Sequence, residues 1–271
     1  MTRANAMALA ALALWSSLAA LAVRLRHVPP FLLVGLALTI GGLAGAATVT
    51  RRGLTPKVVL LGVYGLFAYH FCLFMALRLA PPVEANLLNY LWPLLIVLLS
   101  PWFIAGDLSA RHVAGALLGF AGAALLIARG AGGAGISWAG YGFAVAAAVI
   151  WATYSLMTKR LGGVPTSAVA VFCLAAGALS LACHALFEPA GGIAAADVPW
   201  IVAAGLGPMG AAFYLWDRAL KDGDPRAIGT LAYLTPLFST LLLAACGLGR
   251  LTLAAAAAGT LIVGGAAVGA L

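Results

Sequence analysis

The strongest constraint on this chain is an internal repeat. Ala76, Leu77, Pro82, Leu88, Tyr90, Leu91, Pro93 and Leu94 recur 143 positions later as Ala219, Leu220, Pro225, Leu231, Tyr233, Leu234, Pro236 and Leu237, with Arg78 in register with Lys221. A second echo, at a slightly different offset, sets Trp15, Arg24 and Leu25 against Trp151, Arg160 and Leu161. Leucine and alanine match by chance in such a sequence, so the weight rests on the paired prolines, tyrosines, tryptophans and basic residues. The chain reads as two copies of one unit, residues 1–130 and 131–271, joined by the glycine-rich stretch Gly130 to Gly135.

Composition decides what the unit is made of. With 64% hydrophobic and 8% charged residues and a mean hydropathy of +1.09, a soluble domain could not hide this much apolar surface. The expected fold is therefore all-α integral membrane, with ten transmembrane helices as two inverted five-helix repeats. The net charge of +8 is spread singly or in pairs between apolar runs, which reads as topology signal and not as a nucleic-acid patch. Cys72, Cys173, Cys183 and Cys246 lie in apolar runs without metal-type spacing and read as small buried hydrophobes.

The expected spans are about Ala4 to Val23, Pro30 to Val49, Lys57 to Leu79, Pro82 to Phe103 and His112 to Ala128 in the first copy. In the second they are about Ile136 to Lys159, Thr166 to Phe187, Val198 to Ala219, Pro225 to Cys246, and Leu253 to the end. The first run imitates a secretory signal, but its Trp15 and Arg24 match an internal segment, so it is expected to be retained. Gly41 and Gly45 have the spacing that allows close helix approach. The longest connection, Glu188 to Asp197, leaves no room for a nucleotide-hydrolysing domain. A cytoplasmic N-terminus puts ten of the 15 Lys and Arg inside, among them Arg51, Arg52, Lys57, Arg111, Lys159, Arg160 and Arg226. Both termini are then cytoplasmic, and five helices per copy make the second copy enter the membrane upside down.

Polar and aromatic residues inside these runs nominate a site. Asn86, Asn89, Tyr90 and Pro93 form one helical stripe in the fourth span, and Trp151, Tyr154, Ser155 and Thr158 form another in the sixth. His70 is the one ionisable group near the middle of a span, where burying a charge costs about 2.5–3.5 kcal/mol; it faces a cavity or, more plainly, is a neutral ring bonded to a carbonyl. Tyr69, Trp92, Thr230 and Tyr233 complete the expected substrate-binding set. Pro93 and Pro236 are expected hinges, because each removes a backbone donor in mid-span. Aromatic walls with polar tips suit a ligand with an apolar body, and freed backbone with the two asparagines suits a carboxylate.

The full length resembles the drug/metabolite transporter superfamily of the EamA type, through Trp15 and Trp151 and through Pro93 and Pro236. Within it, Tyr69-His70 and Asn89-Tyr90-Leu91-Trp92-Pro93 resemble bacterial exporters of aromatic amino acids, the YddG type. One departure is visible: Gly106-Asp107 keeps an acidic residue common in that superfamily, whereas Gly249-Arg250 does not. The resemblance implies a secondary transporter in the bacterial inner membrane that works by alternating access as a monomer. No mid-span carboxylate is present for a cationic drug or a sodium ion, so a zwitterionic or neutral substrate fits better. The expected function is export of amino acids, aromatic or large hydrophobic. The alternative is broad efflux of neutral or hydrophobic drugs and metabolites. An intramembrane enzyme finds no His-Glu-x-x-His, Gly-x-Ser-x-Gly or paired acids in the sequence, and a structural or signalling subunit would not need paired mid-helix prolines. The expected partners are the substrate and membrane lipid, with no cofactor and no nucleic acid.

Overall fold

A computed structural model of the chain describes residues 2–128, 137–189, 192–247 and 253–270. Among them every regular element is helical. In chain order these are α1 (Arg3–Ser16), α2 (Leu18–Arg24), α3 (Pro30–Ala46), α4 (Pro56–Val63), α5 (Tyr69–Leu79), α6 (Pro82–Asn89), α7 (Leu91–Phe103) and α8 (Ala110–Ala128). They continue as α9 (Trp138–Arg160), α10 (Ala168–Phe187), α11 (Val198–Leu206), α12 (Ala212–Asp222), α13 (Pro225–Leu231), α14 (Leu234–Ala245) and α15 (Leu253–Ala270). Among the described residues six stretches are long and apolar enough to cross a membrane: Pro56–Leu79, Glu84–Phe103, Trp138–Arg160, Ala168–Phe187, Ala195–Asp222 and Pro225–Ala245. Pro30–Ala46, Ala110–Leu125 and Ala256–Gly269 are shorter apolar helices. The Gly130 to Gly135 joint, Arg129, Ile136, Gly249-Arg250 and Leu271 lie outside the described residues.

Several expected spans are broken, each for a local reason. Pro93 offers no N–H to the carbonyl of Asn89, and α6 ends there, with Tyr90 at φ −66°, ψ 4° before α7 begins. Pro236 does the same to Ala232, and α13 stops at Leu231. Three further interruptions were not expected, the first at Ser17, where α1 gives way to α2 within the expected first span. A π turn at Tyr64–Ala68 joins α4 to α5, and another at Gly207–Ala211 joins α11 to α12.

Small residues bring the helices together. Gly35, Gly42 and Gly177 hold α3 against α10, Gly41 meets Gly205 and Gly210, and Gly45 lies under the Tyr214 hydroxyl, so the Gly41 and Gly45 pair packs as their spacing predicts. Gly115, Gly265 and Gly269 do the same for α8 and α15. Cys173 and Cys183 are buried, but Cys72 is only partly buried and Cys246, the residue that ends α14, is exposed, which corrects the expectation that all four cysteines are buried.

One end of the bundle gathers cations onto helix C-termini. Arg160 donates to Phe103 O at 2.6 Å and Trp102 O at 2.9 Å, and Lys159 to Lys221 O at 2.9 Å and Gly223 O at 2.6 Å. Arg226, buried, donates to Gly106 O at 2.6 Å and to the Ser100 hydroxyl at 3.0 Å. At the opposite end Glu188 accepts from the amides of Phe31 and Leu32 at 3.0 and 3.3 Å, supplying the N-terminus of α3 with the cap that Pro29 cannot provide. Trp102 near the first end, and Trp138 and Trp200 near the second, are exposed, as aromatic anchors at two membrane surfaces would be.

Candidate functional site

The centre of the bundle is a cluster of rings around Trp151 of α9. Its ring centroid lies 5.1 Å from Tyr69, 5.5 Å from Tyr154, 5.6 Å from Trp15, 5.8 Å from Phe213, 6.4 Å from Trp92 and 6.5 Å from Trp216. Most of these pairs are edge-on or tilted, the arrangements that a ring quadrupole favours. His70 joins through Tyr69 at 5.0 Å and Phe213 at 6.2 Å. Five helices, α1, α5, α7, α9 and α12, thus each contribute at least one ring.

The cluster is closed on one side. Leu12, Ile96, Leu156, Leu220 and Ile228, which lie between the rings and the end that carries the cations, are fully buried and pack into one core. On the other side Trp15, Tyr69, Asn86 and Tyr90 keep part of their surface accessible although protein surrounds both tyrosines. Two hollows lie elsewhere. An apolar groove of about 480 Å³ runs along Leu54, Val59, Leu60 and Val63, and a polar cleft of about 320 Å³ lies between Thr2, Asn5, Arg111, His112, Asp222 and Asp224.

Polar atoms at the cluster are few and defined. His70 Nδ1 bonds Leu66 O. A carbonyl only accepts, so the proton is on Nδ1, and Nε2 of the neutral ring is an acceptor. His70 is therefore both a carbonyl-bonded histidine and a member of the aromatic cluster. Asn89 Nδ2 donates to the Tyr69 hydroxyl at 3.4 Å, and its buried Oδ1 has no hydrogen-bond partner among the described residues. A buried unpaired carbonyl oxygen costs about 1–3 kcal/mol, so a ligand that donates to it regains that cost. Ser155 is occupied: its hydroxyl accepts the Trp216 indole N–H at 3.2 Å.

Of the expected binding residues, Tyr69, His70, Asn89, Trp92, Trp151, Tyr154 and Ser155 come together here, with Asn86 and Tyr90 on the accessible side. Thr230 and Tyr233 do not join them. The Thr230 hydroxyl donates to Arg226 O at 3.0 Å and its side chain packs on Gly269 of α15, while Tyr233 packs on Gly119 and Phe120 of α8. Gly269 and Gly119, which carry no side chain, leave the room on α15 and α8 that these two side chains fill, away from the rings. Trp15, Phe213 and Trp216 were not among the expected binding residues; for Trp15 the signal was its repeat partner, Trp151. Asp217, little more than one turn before the end of α12, is buried, bonded to Lys221 at 2.8 Å and to the Thr166 hydroxyl at 2.6 Å. Among the described residues no group of three His, Cys, Asp or Glu is placed to hold a metal ion.

Known proteins resemble this chain over almost all of its length. The model of the EamA-like transporter family matches residues 2–128 and 138–270. A protein of Ancylobacter novellus named aromatic amino acid exporter YddG is 48% identical over 247 residues, covering 88% of this chain and 86% of that protein. A protein of the same name from Escherichia coli (strain K12) is 27% identical over 89% of this chain and 88% of its own length. One protein of known crystal structure superposes with a TM-score of 0.94 at 46% identity, covering 98% of this chain and 96% of that one. With both halves matched by one transporter family and an all-helical apolar fold, the chain is a multi-pass membrane protein and belongs to the EamA-like transporter family.

Proposed function

We propose that this chain exports amino acids, aromatic or large hydrophobic ones, across the bacterial inner membrane by alternating access. The observation that carries the reading is the ring cluster around Trp151, with Trp15, Tyr69, Asn86 and Tyr90 partly accessible at its edge and two neutral acceptors beside Tyr69. An aromatic side chain lies against Tyr69 and Trp15, where each ring pair contributes about 0.5–1.5 kcal/mol beyond its buried area. The ammonium group of the substrate donates to His70 Nε2 and Asn89 Oδ1. Its carboxylate accepts from the hydroxyls of Tyr69 and Tyr90 and the amide of Asn86. The 48% identity to a protein named as an aromatic amino acid exporter supports the same substrate class.

The reading includes ten crossings, five in each of the units 1–130 and 131–271, inserted in opposite directions with both termini cytoplasmic. Contact between repeat-matched residues supports it. Trp15 meets Trp151 at 5.6 Å and His70 meets Phe213 at 6.2 Å, as residues beside a pseudo-two-fold axis must. So does the gathering at one end of Arg160, Lys159, Lys221 and Arg226, the residues that charge bias assigns to the cytoplasm. Pro93 and Pro236 then act as hinges, and a monomer suffices because the ring cluster lies within one chain.

The test is counterflow in proteoliposomes loaded with one amino acid and offered another, across an aromatic, aliphatic and charged panel. Aromatic exchange well above alanine exchange is expected. Exchange of neutral drugs with no preference among amino acids would replace this reading with broad efflux. A reporter fused after Leu271 or within residues 51–57 is expected to score cytoplasmic, and an external signal at either place would overturn the topology.

A further inference from the structure

The two π turns, Tyr64–Ala68 and Gly207–Ala211, lie 143 residues apart, which is the offset of the sequence repeat. They are one station of the unit, present twice. A π turn carries one residue more than the α-helix it interrupts, so its ladder slips. The Ala212 amide, which in an α-helix would donate to Pro208 O, donates to Gly207 O. A carbonyl of each turn, though not at matching positions of the repeat, accepts from a ring nitrogen of the central cluster. Pro208 O accepts the Trp15 indole N–H at 3.0 Å, and Leu66 O accepts from His70 Nδ1.

These bonds decide where two rings can stand. Trp15 has three ring neighbours, Trp216 at 5.1 Å, Trp151 at 5.6 Å and Phe213 at 5.9 Å, and none of the three offers an acceptor for its N–H. The Pro208 carbonyl is what fixes the indole in its plane. Trp15 is also partly accessible, whereas Trp151, Phe213 and Trp216 are buried, so its ring forms the wall and theirs the backing.

We propose that Trp15 is a specificity-determining residue of the site: the second π turn holds its indole as the first holds His70, and these two carbonyl anchors set the slot that receives an aromatic ring. This rests on the aromatic amino-acid reading above. It adds a reason for the π turns, which a helix that only spans a membrane would not need.

The deciding experiment replaces Trp15 with 3-benzothienylalanine by nonsense suppression. The ring keeps its shape and loses only its N–H. The same replacement at Trp138, which is 79% exposed, is the control. Purified protein is compared by near- and far-ultraviolet circular dichroism, and in liposomes by the half-saturation of counterflow for L-phenylalanine and L-leucine. The near-ultraviolet signal of the packed indoles is expected to fall at constant far-ultraviolet signal. Half-saturation for phenylalanine is expected to rise roughly 2- to 13-fold, the equivalent of one net hydrogen bond, with leucine changed less than about twofold. An unchanged near-ultraviolet spectrum, or equal losses for both substrates, overturns the proposal. If the parent protein exchanges no amino acid, the export reading fails while the spectra still decide whether the carbonyl anchors the ring. Trp15→Phe, which also lacks the N–H, is expected to follow the benzothienyl variant in its loss of selectivity for phenylalanine over leucine, and parental selectivity there overturns the proposal as well.

Discussion

A methyl group added at Gly65 tests whether the first π turn shapes the ring cluster. Built on the observed backbone, the new Cβ of Gly65→Ala would lie 2.2 Å from both Cγ and Cδ2 of Tyr154. Carbon atoms rest at about 3.5–4.0 Å, so the Tyr154 ring must retreat by more than ~1 Å. It has nowhere dry to go: Tyr154 is 4% accessible, Trp151 is 3% accessible, and their centroids are 5.5 Å apart. Overpacking of this kind costs about 1–3 kcal/mol, and the helical gain of alanine over glycine returns at most ~1 kcal/mol. The expected outcome is a lower apparent melting temperature in detergent and a raised half-saturation for aromatic substrates, because Trp151 moves with Tyr154. Gly142→Ala, also on a helix but with open space around its Cβ, receives the helical gain without the clash and is expected to match or exceed the parent. If Gly65→Ala melts with Gly142→Ala and binds like the parent, the π turn does not control the cluster and the reasoning fails.

Three other substitutions probe separate parts of the chain. Pro93→Ala or Pro236→Ala restores a backbone donor and is expected to slow counterflow more than it weakens substrate binding; parental rates in both would make the prolines packing features only. His70→Gln keeps a polar acceptor and is expected to retain much of the counterflow that His70→Leu loses, and full activity of the leucine variant would remove the histidine from the site. Arg226→Met removes the bonds to Gly106 O and Ser100 and is expected to cost roughly 1.5–3 kcal/mol of stability, the scale of hydrogen bonds to a charged group. Arg226→Lys is expected to recover less than half of that, since a compact ammonium lacks the rigid, planar spread of donors with which the guanidinium spans Gly106 O and the Ser100 hydroxyl; thermal melts that rank lysine with the parent would refute the fork.

Much of the architecture was legible because a membrane leaves a chain few solutions. Apolar runs of span length, and prolines that stop or bend them, have physical causes that act within one helix, and α3, α5, α7 and α10 end within about three residues of the positions expected from sequence. The site was legible only in part, since spacing along a helix says which residues share a face and not which way that face turns. The stripe of Trp151, Tyr154 and Ser155 turns inward. Thr230 and Tyr233, equally well spaced, turn toward α15 and α8, where Gly269 and Gly119 leave room for them. The π turns left almost no trace, as one extra residue changes neither hydropathy nor composition; Gly65, Gly207 and Gly210 were the available hints.

The repeat carried more than the single residues did, and the reason is geometric. If two copies insert in opposite directions, only positions near the axis that relates them meet their own counterparts, and every such meeting lies at the interface between the halves. Trp15 against Trp151 and His70 against Phe213 are meetings of this kind. Pro93 and Pro236 are repeat-matched too, but they lie on α7 and α14, where α14 packs on α1 and α7 on α9, and so shape the walls and not the centre. A matched aromatic pair therefore locates the axis, and the axis locates the place where opposite motions of the two halves change the shape of a cavity most. His70 and Phe213 extend the point, because a polar and an apolar ring occupy one station of the repeat. Two copies inserted in opposite directions would build a symmetric frame around an asymmetric set of rings, which is what the proposed site needs in order to hold the ammonium end of an amino acid on one wall and its ring on the other.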